Sequence, residues 1–121
     1  MNFCWVTLNV KNMENSLKFY HEILGLKISA QFNAGEDREI VMLGEENGAK
    51  VELIHNKKQS LSSKAERLSI GFEVESIDEA MELCKNNNIQ IKSGPISPNP
   101  STKFFFIEDP DGIEVQLVQH K

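Results

Sequence analysis

Apolar and polar residues alternate along Trp5-Val6-Thr7-Leu8-Asn9-Val10, the period-two signature of a strand with one buried face. The period then lengthens. Met13, Leu17, Tyr20, Ile23 and Leu24 recur at helical spacing, with Asn12 placed to cap the start and Gly25 to end the helix in the left-handed conformation. A strand is expected near Lys27 to Phe32. Glu39-Ile40-Val41-Met42-Leu43 and Val51-Glu52-Leu53-Ile54 read as two more strands, joined by a hairpin that turns at Gly48.

The same order returns in the second half. Ser69-Ile70-Gly71-Phe72-Glu73-Val74 lies over Trp5 to Val10 at an offset of 64 residues. Ile77, Ala80, Met81 and Cys84 form the second helical stripe, and Ser76 with Glu79 makes a capping box. After a strand expected near Gln90 to Ser93, the offset is regained: Lys103 to Ile107 falls on Glu39 to Leu43, Gly112 on Gly48, and Val115 to Val118 on Val51 to Ile54. The fold class this predicts is α+β. Two tandem β-α-β-β-β units, residues 2–56 and 67–119, form curved mixed sheets with helices on the convex faces. A polar Lys- and Ser-rich linker at 57–66 joins them within a single domain, 1–121. Pro95, Pro98 and Pro100 are incompatible with a central strand and are expected to mark a stiff loop.

Composition narrows the function. The chain has 121 residues, 40% hydrophobic and 26% charged, as in one ordinary globular domain. Its net charge of -5 disfavours nucleic acid and anionic membrane as partners, because no basic patch supplies phosphate binding. No apolar run approaches the roughly 20 residues of a membrane span, and the Met1-Asn2-Phe3 start lacks the features of a signal peptide. A cytoplasmic location is expected. Cys4 and Cys84 show no metal or redox spacing and are expected to be buried free thiols.

Phe19-Tyr20 followed by Leu24-Gly25-Leu26, and Glu108-Asp109-Pro110-Asp111-Gly112 followed by Val115-Gln116-Leu117, are the most specific pieces of the pattern. Together with the repeat they make the chain resemble the vicinal oxygen chelate superfamily, which includes glyoxalase I, bleomycin-resistance proteins and extradiol dioxygenases. The resemblance implies that each half supplies one curved sheet and that the concave surface between paired halves holds a ligand. In metal-dependent members of that family, the first and last strands of each half each give one ligand, a His, Glu or sometimes Gln. Those positions here are Trp5, Glu52, Ser69 and Gln116. Trp has no lone pair to give and a Ser hydroxyl is a poor ligand. The two remaining oxygen donors fall short of the three or four a transition metal needs. The expectation is therefore no metal and no cofactor. Without a metal, glyoxalase-type isomerisation would lack its electrophile. The histidines do not repair the set: His21 falls on the first helix, His55 has the opposite strand parity to Glu52, and His120 lies at the C-terminal edge.

The remaining candidates carry functional and purely structural readings. Glu52, between Val51 and Leu53, is expected on the cleft side, as a catalytic base, an anchor for a cationic or hydroxyl-bearing ligand, or a relic paired with Gln116 or water. Trp5 is either a stacking wall for a planar ligand or a filler of core volume. The runs Ile40 to Leu43 and Phe104 to Ile107 are apolar on both faces, which implies shelter by a cleft or a dimer contact. Asp109-Pro110-Asp111-Gly112 is read as turn chemistry. The pocket implied has Trp5 and Thr7 on one wall, Ser69 and Gly71 on the other, and Glu52 and Gln116 as anchors. The function that follows is binding, without metal, of a small, partly apolar or aromatic molecule by a homodimer. The alternatives are a lyase, isomerase or dioxygenase-like enzyme with atypical metal ligands, a metal-free catalyst using Glu52, and a structural dimer with a vestigial cleft.

Overall fold

A strand that alternates apolar and polar residues is fixed in register once one face is buried, because a one-residue slip would turn every apolar side chain outward. In the computed structural model, which describes residues 3–59 and 68–120, the chain divides into two compact units, Met1–Ser63 and Lys64–Lys121. The first contains β1 (Trp5–Asn9), α1 (Met13–Leu17) with a π-helical continuation (Lys18–Ile23), β2 (Ile28–Ala34), β3 (Arg38–Leu43) and β4 (Lys50–Asn56). The second contains β5 (Ser69–Glu73), α2 (Ile77–Asn86), β6 (Ser93–Asn99), β7 (Thr102–Glu108) and β8 (Glu114–His120). Each unit forms one four-stranded mixed sheet, ordered β1-β4-β3-β2 in the first and β5-β8-β7-β6 in the second.

The 64-residue offset is preserved in the hydrogen-bonded ladders. β1 runs parallel to β4 with Thr7 opposite Glu52, and β5 runs parallel to β8 with Gly71 opposite Gln116. Val41 pairs with Leu53 and Met42 with Glu52; their counterparts Phe105 and Phe106 pair with Leu117 and Gln116. Even the ladder ends correspond: the Val10 amide donates to the Ile54 carbonyl at 2.8 Å, and the Val74 amide to the Val118 carbonyl at 2.8 Å. Trp5 and Ser69 thus occupy equivalent register positions, as do Glu52 and Gln116.

One face of each sheet is buried with its helix. In the first unit Leu8, Val10, Val41, Leu43 and Leu53 are buried along with Met13, Phe19 and Tyr20. In the second, Phe105, Ile107, Val115 and Leu117 are buried along with Ile77, Ala80 and Cys84. Each large side chain so buried contributes about 1.5–3 kcal/mol. The caps act as expected. Asn12 Oδ1 accepts the Asn15 amide at 2.9 Å, and Ser76 Oγ accepts the Glu79 amide at 3.2 Å. Gly25 follows the first helix at φ +79°. Among the described residues no helix is long and apolar enough to cross a membrane.

Four expectations change. The first helix does not keep the α winding to Leu24; it widens to a π-helix at Lys18, with the Leu24 amide reaching the Phe19 carbonyl at 2.9 Å. This accommodates two adjacent buried aromatic rings, Phe19 and Tyr20, packed edge to face at 4.9 Å. The proline-rich segment is a strand, β6, rather than a loop, and it starts where the strand expected near Gln90 to Ser93 was to end. β6 is an edge strand whose ladder register with β7 is set at Ser93, Ile96 and Asn99, with shifts between them. Pro95 and Pro98 therefore fall between its pairing points, where an absent N–H costs little. Cys4 is exposed because it precedes β1, whereas Cys84 is buried, and burial pushes its thiol pKa up. The apolar runs in β3 and β7 are fully buried on the helix side, while on the other face Ile40 is buried and Met42, Phe104 and Phe106 are half-buried. Of the expected linker, residues 60–66 lie outside the described residues; Asn56 closes a turn over the first part by accepting the Lys58 amide at 3.0 Å.

The Asp109 turn needs no catalytic explanation. Its buried carboxylate Oδ1 accepts the Asp111 and Ile113 amides at 2.8 and 2.9 Å, fixing the β7–β8 hairpin. The β3–β4 hairpin depends instead on Gly44, at φ +137°, where an added Cβ would lie 2.8 Å from the Ala49 carbonyl oxygen. Gly35 shares a positive φ, +79°, but has open space around it. Gly44→Ala is expected to cost at least about 2 kcal/mol and Gly35→Ala about 1 kcal/mol in urea unfolding. Equal losses would show that the clash at Gly44 is not what the hairpin avoids.

Candidate functional site

Strand alternation sends the residues between the buried positions to the face away from the helix. In the first unit the register aligns Trp5 with Lys50, Thr7 with Glu52 and Asn9 with Ile54, and it sets Met42 beside Glu52 from β3. Trp5, Thr7 and Glu52 are thus brought together on one face. Trp5 is 53% exposed, which rules it out as core filler within its own unit. Glu52 is half-buried.

The Thr7 hydroxyl donates to Glu52 Oε1 at 2.6 Å, a distance typical of a charge-assisted O–H···O⁻ bond. The sequence offered Gln116 or water as the partner of Glu52; the structure supplies Thr7. Lys50, two residues before Glu52 on the same strand face, is turned away. Its ammonium donates to the carbonyls of Glu46 and Gly48 at 3.0 and 2.8 Å, within the hairpin. Among the described residues Glu52 has no salt bridge. The parity of positions 5, 7 and 52 was readable in the sequence. The diversion of Lys50 was not, because it depends on the path of the hairpin backbone.

Ser69, Gly71 and Gln116 share the corresponding face of the second unit. No hydroxyl stands opposite Gln116. An added Cβ at Gly71 would lie 3.5 Å from Gln116 Oε1, an ordinary van der Waals contact, so a side chain could be placed there without a clash. Phe106 is the register partner of Gln116, and its ring meets that of Phe104 edge to face at 5.6 Å. This aromatic pair was missed as a feature of the face, although period-two alternation along Phe104-Phe105-Phe106 could have found it.

The histidines do not join either trio. His21 Nδ1 lies 2.7 Å from the Leu26 carbonyl, bracing the chain after the first helix. His55 Nδ1 lies 3.1 Å from the Val10 carbonyl, and alternation puts His55 on the face opposite Glu52. His120 ends β8 and lies 3.2 Å from Glu73 Oε2. Among the described residues no three His, Cys, Asp or Glu side chains gather as a metal site.

These sheets, built twice from the same strand order, are the architecture of one protein class. A family model, the Glyoxalase/Bleomycin resistance protein/Dioxygenase superfamily, matches residues 3–117, and the chain belongs to that superfamily. The lactoylglutathione lyase of Neisseria meningitidis serogroup A is 32% identical over 133 residues, spanning 100% of this chain and 92% of the relative. Among solved structures, the trypanothione-dependent glyoxalase I of Leishmania major covers 98% of this chain and 86% of its own, with a TM-score of 0.83 at 25% identity. A glyoxalase family protein from Bacillus cereus has a TM-score of 0.85 at 18% identity, covering 99% and 94%, and is similar in fold.

These relatives correct one expectation. A chain without any cofactor is not what they indicate, since lactoylglutathione lyases are typically metal-dependent. The family's four ligand positions, Trp5, Glu52, Ser69 and Gln116, nevertheless offer one carboxylate and one amide, with the carboxylate already accepting from Thr7. That donor set does not by itself fit a transition metal. The requirement of the relatives and the donors of this chain disagree.

Proposed function

We propose that this member of the superfamily binds a small, planar, partly aromatic molecule on the sheet face that carries Trp5, Thr7 and Glu52. The observation that carries this reading is a half-exposed indole next to a carboxylate with no salt-bridge partner among the described residues. A flat apolar surface beside a single directional acceptor suits a ligand that stacks and is then oriented by one polar contact. Two free cysteines agree with a cytoplasmic location.

A homodimer belongs to the same proposal. Phe32 and Ile96 are 50% and 42% exposed, and register places both on the sheet faces away from the helices. A second copy would cover apolar area that a small unit leaves open.

A second reading is a lyase, favoured by the name of the Neisseria meningitidis relative at 32% identity. Glu52 would then move a proton, since it is the one carboxylate among the candidate residues. Turnover of lactoylglutathione or its hemithioacetal precursor, lost in Glu52→Gln, would select this reading over binding alone.

Trp5 is the only tryptophan, so its fluorescence reports directly on the face. A panel of planar aromatic compounds, including flavonoid-like molecules and glycopeptide antibiotics, is expected to contain at least one that quenches it saturably. At tenfold excess over Kd the same compound should raise the melting temperature by roughly 5 °C, an increase absent in Trp5→Leu. A panel with neither quenching nor a shift would remove the binding proposal. For the dimer, sedimentation at micromolar concentration should give twice the 13.7 kDa chain mass; a sharp monomer boundary would contradict it.

A further inference from the structure

The two units place different chemistry at equivalent register positions. Thr7 stands opposite Glu52 in one, and Gly71 stands opposite Gln116 in the other. Gln116 offers an amide, which both donates and accepts and is uncharged. Glu52 offers only acceptors when ionised, and one of its oxygens already accepts a hydrogen bond from the Thr7 hydroxyl at 2.6 Å. That bond restricts the carboxylate's rotation, so the second oxygen is held in a fixed direction on the face that carries Trp5. Lys50, the nearest cation by register, is held by two hairpin carbonyls.

We propose that Thr7 is a positioning residue whose hydroxyl holds the Glu52 carboxylate so that its free oxygen accepts from a ligand stacked on Trp5, which restricts the ligand to a planar cation bearing N–H donors, such as a protonated heteroaromatic amine or an aryl guanidine. This rests on the small-molecule reading and names its ligand class. The chemistry is consistent on both contacts. An indole face attracts a cation, and an unpaired carboxylate favours a charged donor over a neutral one. Trp5 precedes Thr7 by two residues on the same face, roughly 6–7 Å along the strand, about the span of one fused aromatic ring system with an exocyclic amine. An anion would meet the Glu52 charge while the nearest cation by register, Lys50, is engaged with hairpin carbonyls, and a cation without N–H would stack but leave the oriented oxygen unused.

Three probes separate these cases: 4-aminoquinoline, protonated near neutral pH and bearing N–H donors; N-methylquinolinium, of equal charge without a donor; and quinoline-4-carboxylate, an anion. The wild-type protein should bind 4-aminoquinoline about tenfold more tightly than N-methylquinolinium and should not bind the carboxylate. Thr7→Val, which keeps shape and strand preference, should abolish that preference, and Thr7→Ser should restore it. In a crystal structure of the free protein, Thr7 Oγ1 should lie within hydrogen-bond distance of a Glu52 carboxylate oxygen, as it does here at 2.6 Å. A Thr7→Val variant with unchanged preference overturns the proposal, as does a crystal structure in which Thr7 and Glu52 do not meet. If the wild type quenches with other aromatic compounds but shows no preference for 4-aminoquinoline, the ligand class is wrong and the small-molecule reading stands. If no aromatic compound binds at all, that reading falls and this one falls with it.

Discussion

The parallel pairing of the first and last strand of each unit is the constraint on which the rest depends. It closes the β-α-β-β-β order by bringing β4 back beside β1 and β8 back beside β5, and by doing so sets position 52 next to position 7 and position 116 next to position 71. The helix between the first and second strands is what makes this possible, since parallel neighbours need a crossover of helical length. Burial then locks the register. Leu8 and Leu53, or Phe105 and Leu117, cannot shift by one residue without leaving the core for water. The polar residues between them are held in place by the same restriction, so the chemistry of the open face is a by-product of the packing on the other.

Duplication of a unit gives equivalent positions, and the differences between them carry the functional information. Where the family's ligand positions fall, this chain has an indole and a carboxylate in one unit and a hydroxyl and an amide in the other. The carboxylate accepts from a neighbouring Thr hydroxyl, and the amide oxygen lies beside a glycine, 3.5 Å from where a Cβ would be. The first arrangement sets a charged acceptor on the face that carries an indole; the second sets an uncharged amide beside a residue without a side chain. Membership of the superfamily is shared with lactoylglutathione lyases, which are typically metal-dependent, whereas these four positions do not complete a transition-metal donor set. Fold and site therefore point in different directions, as they can when one scaffold serves many chemistries.

What could be read from sequence followed from how local each property is. The alternation in Trp5 to Val10, the helical stripe through Cys84 and the offset between halves are periodic patterns, and the sheets reproduce them with the expected faces. The segment from Ser93 to Asn99 was misread because the rule against proline applies to central strands, and whether a strand lies at the edge is settled by topology. Cys4 was misplaced for a related reason: alternation does not say where the ladder begins, and pairing starts at Trp5. The π winding at Phe19 and Tyr20 was hidden because an α-helix of the same composition would bury a nearly identical set. At the site, the shared face of Trp5, Thr7 and Glu52 was legible by parity, whereas the Thr7 hydrogen bond required knowing that β1 and β4 are neighbours. The expectation of a cofactor-free chain failed because counting donors at four positions tests those positions alone.

The central claim is that one strand register, repeated at an offset of 64 residues, decides which side chains meet on each open face. It is tested most directly by transplanting the first unit's pair into the second with the double substitution Gly71→Thr and Gln116→Glu and determining the crystal structure. If the registers are equivalent, the introduced hydroxyl donates to the introduced carboxylate on the face away from α2, at a distance close to the 2.6 Å found between Thr7 and Glu52. Side chains found on different rungs, or on opposite faces of the sheet, would contradict the account.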